Sequence, residues 1–208
     1  MSLLCLKSKD IEIDHLNKKI NTKESSELID SLVKGDEDAF RKIINLYRDA
    51  VLRICIGFTG SQADADDLAQ EVFIEIFRSI RKFRGRSKLS TWIYRIAVNK
   101  SLNYIRDNRR MHSIADYEDE YIGKHLNNES TPDERMISGD HARALHLALD
   151  KLPDAQRTAF ILSKYEDMKY QEIAHVMNSS VSRIESLIFR AKRSLQEHLY
   201  NYYKESKD

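Results

Sequence analysis

Trp92, Arg95, Asn99, Asn103, Arg106 and Arg110 follow one another at steps of three or four residues, the spacing that aligns side chains on one face of a helix. Their types suit one kind of chemistry. The indole offers a stacking plane, the carboxamides can hydrogen-bond base edges, and the guanidinium groups hold phosphates or stack on bases. Arg86, Lys88, Lys100 and Arg109 lie in the same stretch. From Arg78 to Arg110 there are eleven Lys or Arg and one acid, Asp107, a local charge of +10 in a chain whose total is +1. Such a surface suits a polyanion. Trp92 alone fits a core position flanked by surface arginines equally well; the whole line favours nucleic acid.

The preceding stretch has the opposite sign. Asp64, Asp66, Asp67, Glu71 and Glu75 fall between Ser61 and Phe77 with no Lys or Arg among them. Ala65, Leu68, Ala69, Val72, Phe73, Ile76, Phe77 and Ile80 recur as the buried stripe of a helix. Asp67, Gln70, Glu71, Ile74 and Arg78 fall on a neighbouring face. Ile74 off the stripe marks an apolar contact for something outside; a solvated acidic face with one stray Ile is the blander reading.

A third group sits near the C-terminus. Tyr170–Met177 and the segment from Val181 read as two helices joined by a tight turn, a helix-turn-helix pattern. Ala174 is small where the helices would cross. Ile173, Met177, Ile184, Leu187 and Ile188 can pack them together. Asn178 suits a positive φ, and Ser180 can cap the second helix. Outward-facing Ser182, Arg183, Glu185, Ser186 and Arg190 could reach a major groove, with Lys192 and Arg193 on phosphates. An ordinary helical hairpin with a charged face is the alternative.

The elements that must position these groups are all helical. Residues 1–24 read as a loosely held extension. A short helix from Ser25 to Val33 stops at Gly35, and Asp36 opens another carrying Phe40, Ile43, Ile44, Tyr47, Val51, Leu52 and Ile54. Gly57 and Gly60 are expected to close it, and Ser61 to cap the acidic helix. A basic loop, residues 83–88, precedes a helix starting near Leu89 with inner stripe Ile93, Ile96, Ala97 and Ile105. Residues 111–131 carry a net charge of −4, no helical stripe is expected to persist there, and they read as a flexible acidic linker. Thr131, Pro132 and Glu134 then form a capping box. Ala144, Leu145, Ala148, Leu149 and Leu152 give the next apolar face, and Pro153 starts a helix with Ala155, Ala159, Phe160, Leu162 and Tyr165.

Composition narrows the classes further. Only two Pro and six Gly among 208 residues, with 32% charged, favour an all-α protein with polar outer faces. There is no run of eighteen apolar residues and no signal-peptide signature. Cys5 and Cys55 make no metal or redox spacing, so a reduced, intracellular chain is the natural reading. The seven His form no ligand cluster. No Gly-rich phosphate loop or nucleophile–base pattern supports an enzyme, and adjacent Asp66 and Asp67 point to different sides of a helix. No cofactor or metal is expected. A self-sufficient DNA-binding regulator would need a dimer interface to read two half-sites, and no dedicated dimerisation helix is visible.

The segments Asp64–Phe73, Phe83–Ser87 and Ser90–Asn99 resemble region 2 of bacterial sigma factors, most closely the extracytoplasmic-function group. Leu152–Arg157, Tyr170–Ala174 and Phe189–Lys192 resemble region 4 of the same group. The resemblance implies two small helical domains, region 2 over residues 25–110 and region 4 over 132–204, joined by the acidic linker 111–131. It implies docking of Asp64, Asp67, Gln70, Glu71 and Ile74 on the β′ clamp helices of core RNA polymerase, with the β subunit a further contact. Arg86, Lys88, Trp92, Arg95, Asn99, Lys100, Asn103, Arg106, Arg109 and Arg110 would engage the −10 promoter element, one base of which is flipped into a protein pocket. Ser182, Arg183, Glu185, Ser186, Arg190 and Lys192 would read the −35 element. Glu185 and Leu187 stand where the family often has basic residues, and Asn178-Ser179 where it often has Gly-Ile. The linker would occupy the polymerase channel, melting would be driven by binding energy, and an anti-sigma factor would hold the cytoplasmic protein inactive.

Overall fold

A computed structural model describes residues 22–114 and 132–205, with side chains over 27–108 and 140–204. Among them are α-helices α1 (Thr22–Val33), α2 (Glu37–Thr59), α3 (Gln62–Ser79), α4 (Leu89–Ile114), α5 (Pro132–Asp150), α6 (Asp154–Tyr165), α7 (Tyr170–Val176) and α8 (Val181–Glu205). A 3-10 turn, Ile80–Lys82, follows α3. No described residue is in a strand. The extension 1–21 and the capping residue Thr131 lie outside the described residues, as do 115–131 of the expected linker.

Local chemistry sets the boundaries. The Asp36 carboxylate accepts from the backbone N–H groups of Asp38 and Ala39 at the start of α2, two of the donors a helix N-terminus leaves open. Gly60 ends α2 in the left-handed conformation, φ +68°, where a side chain is disfavoured. Ser61 Oγ then accepts from Asp64 N–H at 3.2 Å to open α3.

Two sequence expectations need correcting here. Gly57 does not close α2. It lies inside the helix, where a Cβ would sit 2.8 Å from Ile161 Cγ2, so its role is close approach of α6. The helical run of α4 also continues through Ile114, into the span read as linker.

Helices α2, α3 and α4 enclose the first part of the core, with Ile43, Val51, Ile54, Phe58, Val72, Ile76 and Ile93 buried among them. That core does not stop at the N-terminal helices. It runs on into α6, α7 and α8 through Ile161, Leu162, Ile173, Ile184 and Ile188. A smaller cluster, Ala148, Leu149, Leu152, Ala191 and Leu195, fixes α5 to α8.

Candidate functional site

The acidic helix α3 presents Asp67, Gln70, Glu71 and Ile74 to solvent, with Asp64 half-buried at its first turn. Phe77 joins them. It was expected in the buried stripe, yet it is 49% exposed, as is Ile74. One turn of helix separates the two, so they form an apolar column on the outer edge of α3. Across from it, Phe40 meets Phe77 edge-to-face with ring centroids 5.0 Å apart. The result is a groove of about 570 Å³ between α2 and α3, lined by Phe40, Ile44, Leu52, Phe73, Ile74 and Phe77, with Arg48, Asp66 and Gln70 also at its walls. The Ile44 and Leu52 contributions were invisible in sequence because they look like core positions of α2. The available signal was apolar residues on both sides of each stripe, more than a single buried face needs.

The line of residues expected to meet nucleic acid lies on one uninterrupted helix, α4. Asn99, Asn103 and Arg106 are exposed, as are Arg86 and Lys88 in the preceding loop. Lys100 is half-buried and pairs with Glu71 at 3.5 Å, tying the basic face to the acidic one. Trp92 is half-buried, its ring 5.3 Å from that of Phe83 and tilted by 55°. The side chains of Arg109 and Arg110 lie outside the described residues. Two arginines of the line are engaged by the C-terminal helices. Arg95 donates to the backbone carbonyls of His175 and of Val176, the latter at 3.2 Å. Arg106 pairs with Asp154 at 3.0 Å.

The helix-turn-helix forms as the pattern dictates. Asn178 adopts φ +48°, and Ser180 Oγ accepts from Arg183 N–H at 3.3 Å. Ile173, Ala174, Ile184 and Ile188 are buried between α7 and α8, while Ser182, Arg183, Glu185, Ser186, Arg190 and Lys192 all face outward. Arg193 is exposed too, held by Glu197 at 3.2 Å.

Sequence reasoning assigned no part to Arg157, whose side chain is fully buried. It donates to Phe58 C=O at 2.6 Å and to the Asp150 carboxylate, and its guanidinium lies 5.7 Å from the Phe58 ring centroid. His146 packs near it against Gly60, where a Cβ would overlap the imidazole. Burial holds the His146 pKa below its usual value, Asp150 opposing the shift and Arg157 adding to it. The Cys55 thiol, buried beside Ser101, is pushed up to about 12, chiefly by desolvation. A thiol kept neutral is no nucleophile.

The chain's residues 43–111 match the family model Sigma-70 region 2, and residues 142–195 match Sigma-70, region 4. It is 33% identical to the ECF RNA polymerase sigma-E factor of Haemophilus influenzae, over 83% of this chain and 93% of that protein. It is 31% identical to the RNA polymerase sigma-H factor of Pseudomonas aeruginosa, over 90% of this chain and all of that one. Among solved structures, CnrH in complex with the cytosolic domain of CnrY shares the fold with a TM-score of 0.61 and 21% identity, over 85% of this chain and 97% of that chain. The Bartonella quintana sigma factor RpoE, in complex with the anti-sigma factor NepR, does so at 0.57 and 23%, over 77% and 96%. An all-helical chain carrying regions 2 and 4 in that order is a transcription-initiation factor of the sigma-70 type. The chain belongs to the extracytoplasmic-function sigma factors of bacterial RNA polymerase.

Proposed function

We propose that this sigma factor divides its work as its two units divide their surfaces. Residues 25–110 bind core polymerase and the −10 element, 132–204 bind the −35 element, and 111–131 tether them. The observation that carries the reading is the exposed groove of α2 and α3 beside the basic face of α4. Charge and exposure give that unit two distinct surfaces.

The groove takes the β′ clamp helices. Ile74 and Phe77 supply apolar area, Asp66 and Gln70 stand at the groove's wall, and Asp67 and Glu71 are exposed on the same helix. A central apolar patch with a polar rim is how specific interfaces are built. The exposed Asn99 and Asn103 read unstacked bases of the −10 element, while Arg86, Lys88, Lys100 and Arg106 hold its phosphates. The tilted pair of Phe83 and Trp92 supplies an aromatic surface at the start of α4 for stacking. Ser182, Arg183, Glu185, Ser186 and Arg190 enter the major groove of the −35 element from the first turns of α8. The chain performs no covalent chemistry in this role, so binding energy alone drives strand separation.

Control by an anti-sigma factor belongs to the same reading, because one solved neighbour of this fold is in complex with such a protein. The work takes place where core polymerase is, in the cytoplasm; no described helix is long and apolar enough to cross a membrane. Run-off transcription with purified core polymerase and a promoter library tests the whole reading. Discrete new start sites in its presence are expected. Their absence with a folded protein that binds DNA alone as a dimer would favour a self-sufficient regulator.

A further inference from the structure

We infer that the turn between α7 and α8 carries a site for a small phosphorylated anion, sized for a diphosphate group. A cavity of about 420 Å³ opens there, lined by Arg95, His175, Asn178, Ser179, Ser180 and Arg183. Every lining residue except Ala174 is polar or charged, and none is an acid. An apolar guest finds little surface in such a cavity, and two guanidinium groups repel a cation.

The donors converge from several sources. Helix α8 runs for 25 residues from Val181, and the N–H groups of its first turn have no intrahelical partner. Ser180 Oγ satisfies that of Arg183, and those of Val181 and Ser182 remain at the positive end of the helix dipole. The neighbouring Ser179 Oγ is buried and has no hydrogen-bond partner among the described residues. A buried hydroxyl left unpaired is costly, and an anion's oxygen would accept its hydrogen bond. The carbonyls that end α7 would repel an anion, but Arg95 donates to those of His175 and Val176 and masks them. A guanidinium carries five N–H donors, so Arg95 keeps others for a ligand.

Size and lining select the guest. The volume holds several water-sized groups, more than one phosphate fills. No Phe, Tyr or Trp lines the walls to stack a nucleobase. A diphosphate, free or at the end of a nucleotide, matches both. Arg95 and Arg183 also belong to the two proposed DNA readers, so a ligand seated here competes with promoter phosphates for them. That consequence rests on the sigma-factor reading, whereas the site rests on geometry alone.

Calorimetric titration of the full chain with sodium diphosphate, at ionic strength held constant with sodium chloride, tests the site. Saturable binding is expected. Arg95→Gln, Arg183→Gln and Ser179→Ala should each weaken it by about tenfold, the usual worth of a hydrogen bond to a charged group. Ser179→Ala keeps the test independent of the hold that Arg95 has on α7. Lys204→Gln, at the far end of α8, should leave the affinity unchanged. A fluorescent DNA duplex separates free diphosphate from backbone phosphate, because Ser179→Ala should not alter duplex affinity. Absence of saturable binding would overturn the site, and an equal loss in Lys204→Gln would reduce it to a diffuse basic surface. Ser179→Ala weakening duplex and diphosphate alike would overturn it too, leaving a seat for DNA phosphate alone. Diphosphate binding by a chain that directs no run-off transcription would keep the site and sink the sigma-factor reading.

Discussion

Arg157→Met removes the guanidinium while keeping most of the stem, and it isolates what the cross-unit cap contributes. The Phe58 carbonyl would lose a charge-assisted donor at a buried helix end, worth about 1.5–3 kcal/mol. The favourable charge–dipole interaction at the end of α2 overlaps with that figure and is not added to it. Against the loss stands relief of the desolvation cost that a fully buried cation carries. Asp150 is 42% exposed on its side chain, so water can take over its lone pairs. A net destabilisation of about 2 kcal/mol results for Met. Arg157→Ala also deletes the buried stem and its packing on Phe58, and about 4 kcal/mol is expected. For a chain of this size, 2 kcal/mol lowers the melting temperature by about 4–8 °C.

Urea unfolding followed by two probes reads the effect. Trp92 is the sole tryptophan and reports on the N-terminal unit, where it packs beside Phe83. Far-UV circular dichroism reports on all helices. Because Arg157 joins α6 to the end of α2, its loss should separate the two transitions as well as shift them. Coincident transitions at the original midpoint would refute the argument. A more stable Met variant would show that the buried cation is a net burden, as buried ion pairs can be.

Four other outcomes follow from the same surfaces. Glu71→Lys should weaken core-polymerase binding, measured by titration of labelled core; equal affinity would remove the polar rim from the interface. Asn99→Ala should slow promoter opening, read by permanganate reactivity of unpaired thymines, while leaving initial binding intact. Arg183→Ala should weaken protection of the −35 element in footprints of the holoenzyme by about tenfold in affinity. His146 supplies a pH dependence. Its folded pKa is lowered mainly by burial, with Asp150 and Arg157 facing it, so its stabilising contribution is full above about pH 6.5 and is lost as pH falls below that toward the folded value. His146→Gln should flatten the fall in urea midpoint between about pH 7.5 and about pH 5.5.

The helical order and the exposure of the two proposed recognition faces could be read from residue spacing because each depends on contacts within one helix. Ile184 and Ile188 one turn apart, with Glu185 and Ser186 between, specify which side of α8 packs and which faces out. Phe77 shows the limit. Its period matches the buried stripe of α3, but the stripe is wider than the core behind it, and which edge stays open is decided by where α2 crosses. Gly57 has the same cause: it reads as a helix stop unless one knows that Ile161, more than a hundred residues away, needs the space. Arg157 was silent for a related reason. A buried arginine declares itself only through partners such as Phe58 C=O and Asp150, the first of which lies far off in sequence.

The contacts between the N-terminal and C-terminal helices differ in how far water reaches them. Arg106 and Asp154 are 58% and 32% exposed on their side chains, so water and salt already compete for that pair and it contributes little. A polyanion can take Arg106 almost without cost. Arg95 is half-buried and engaged with two carbonyls; drawing it away leaves the end of α7 uncapped, so it should yield later. Arg53–Glu166 and Arg157 lie deeper and touch none of the proposed DNA readers. Salt should therefore loosen the DNA-facing edge without opening the chain, because screening acts on exposed pairs far more than on buried ones. If raising salt alone lowered the urea midpoint as far as Arg157→Met does, the exposed pairs would be holding the two units together, and the deeper contacts would be packing only.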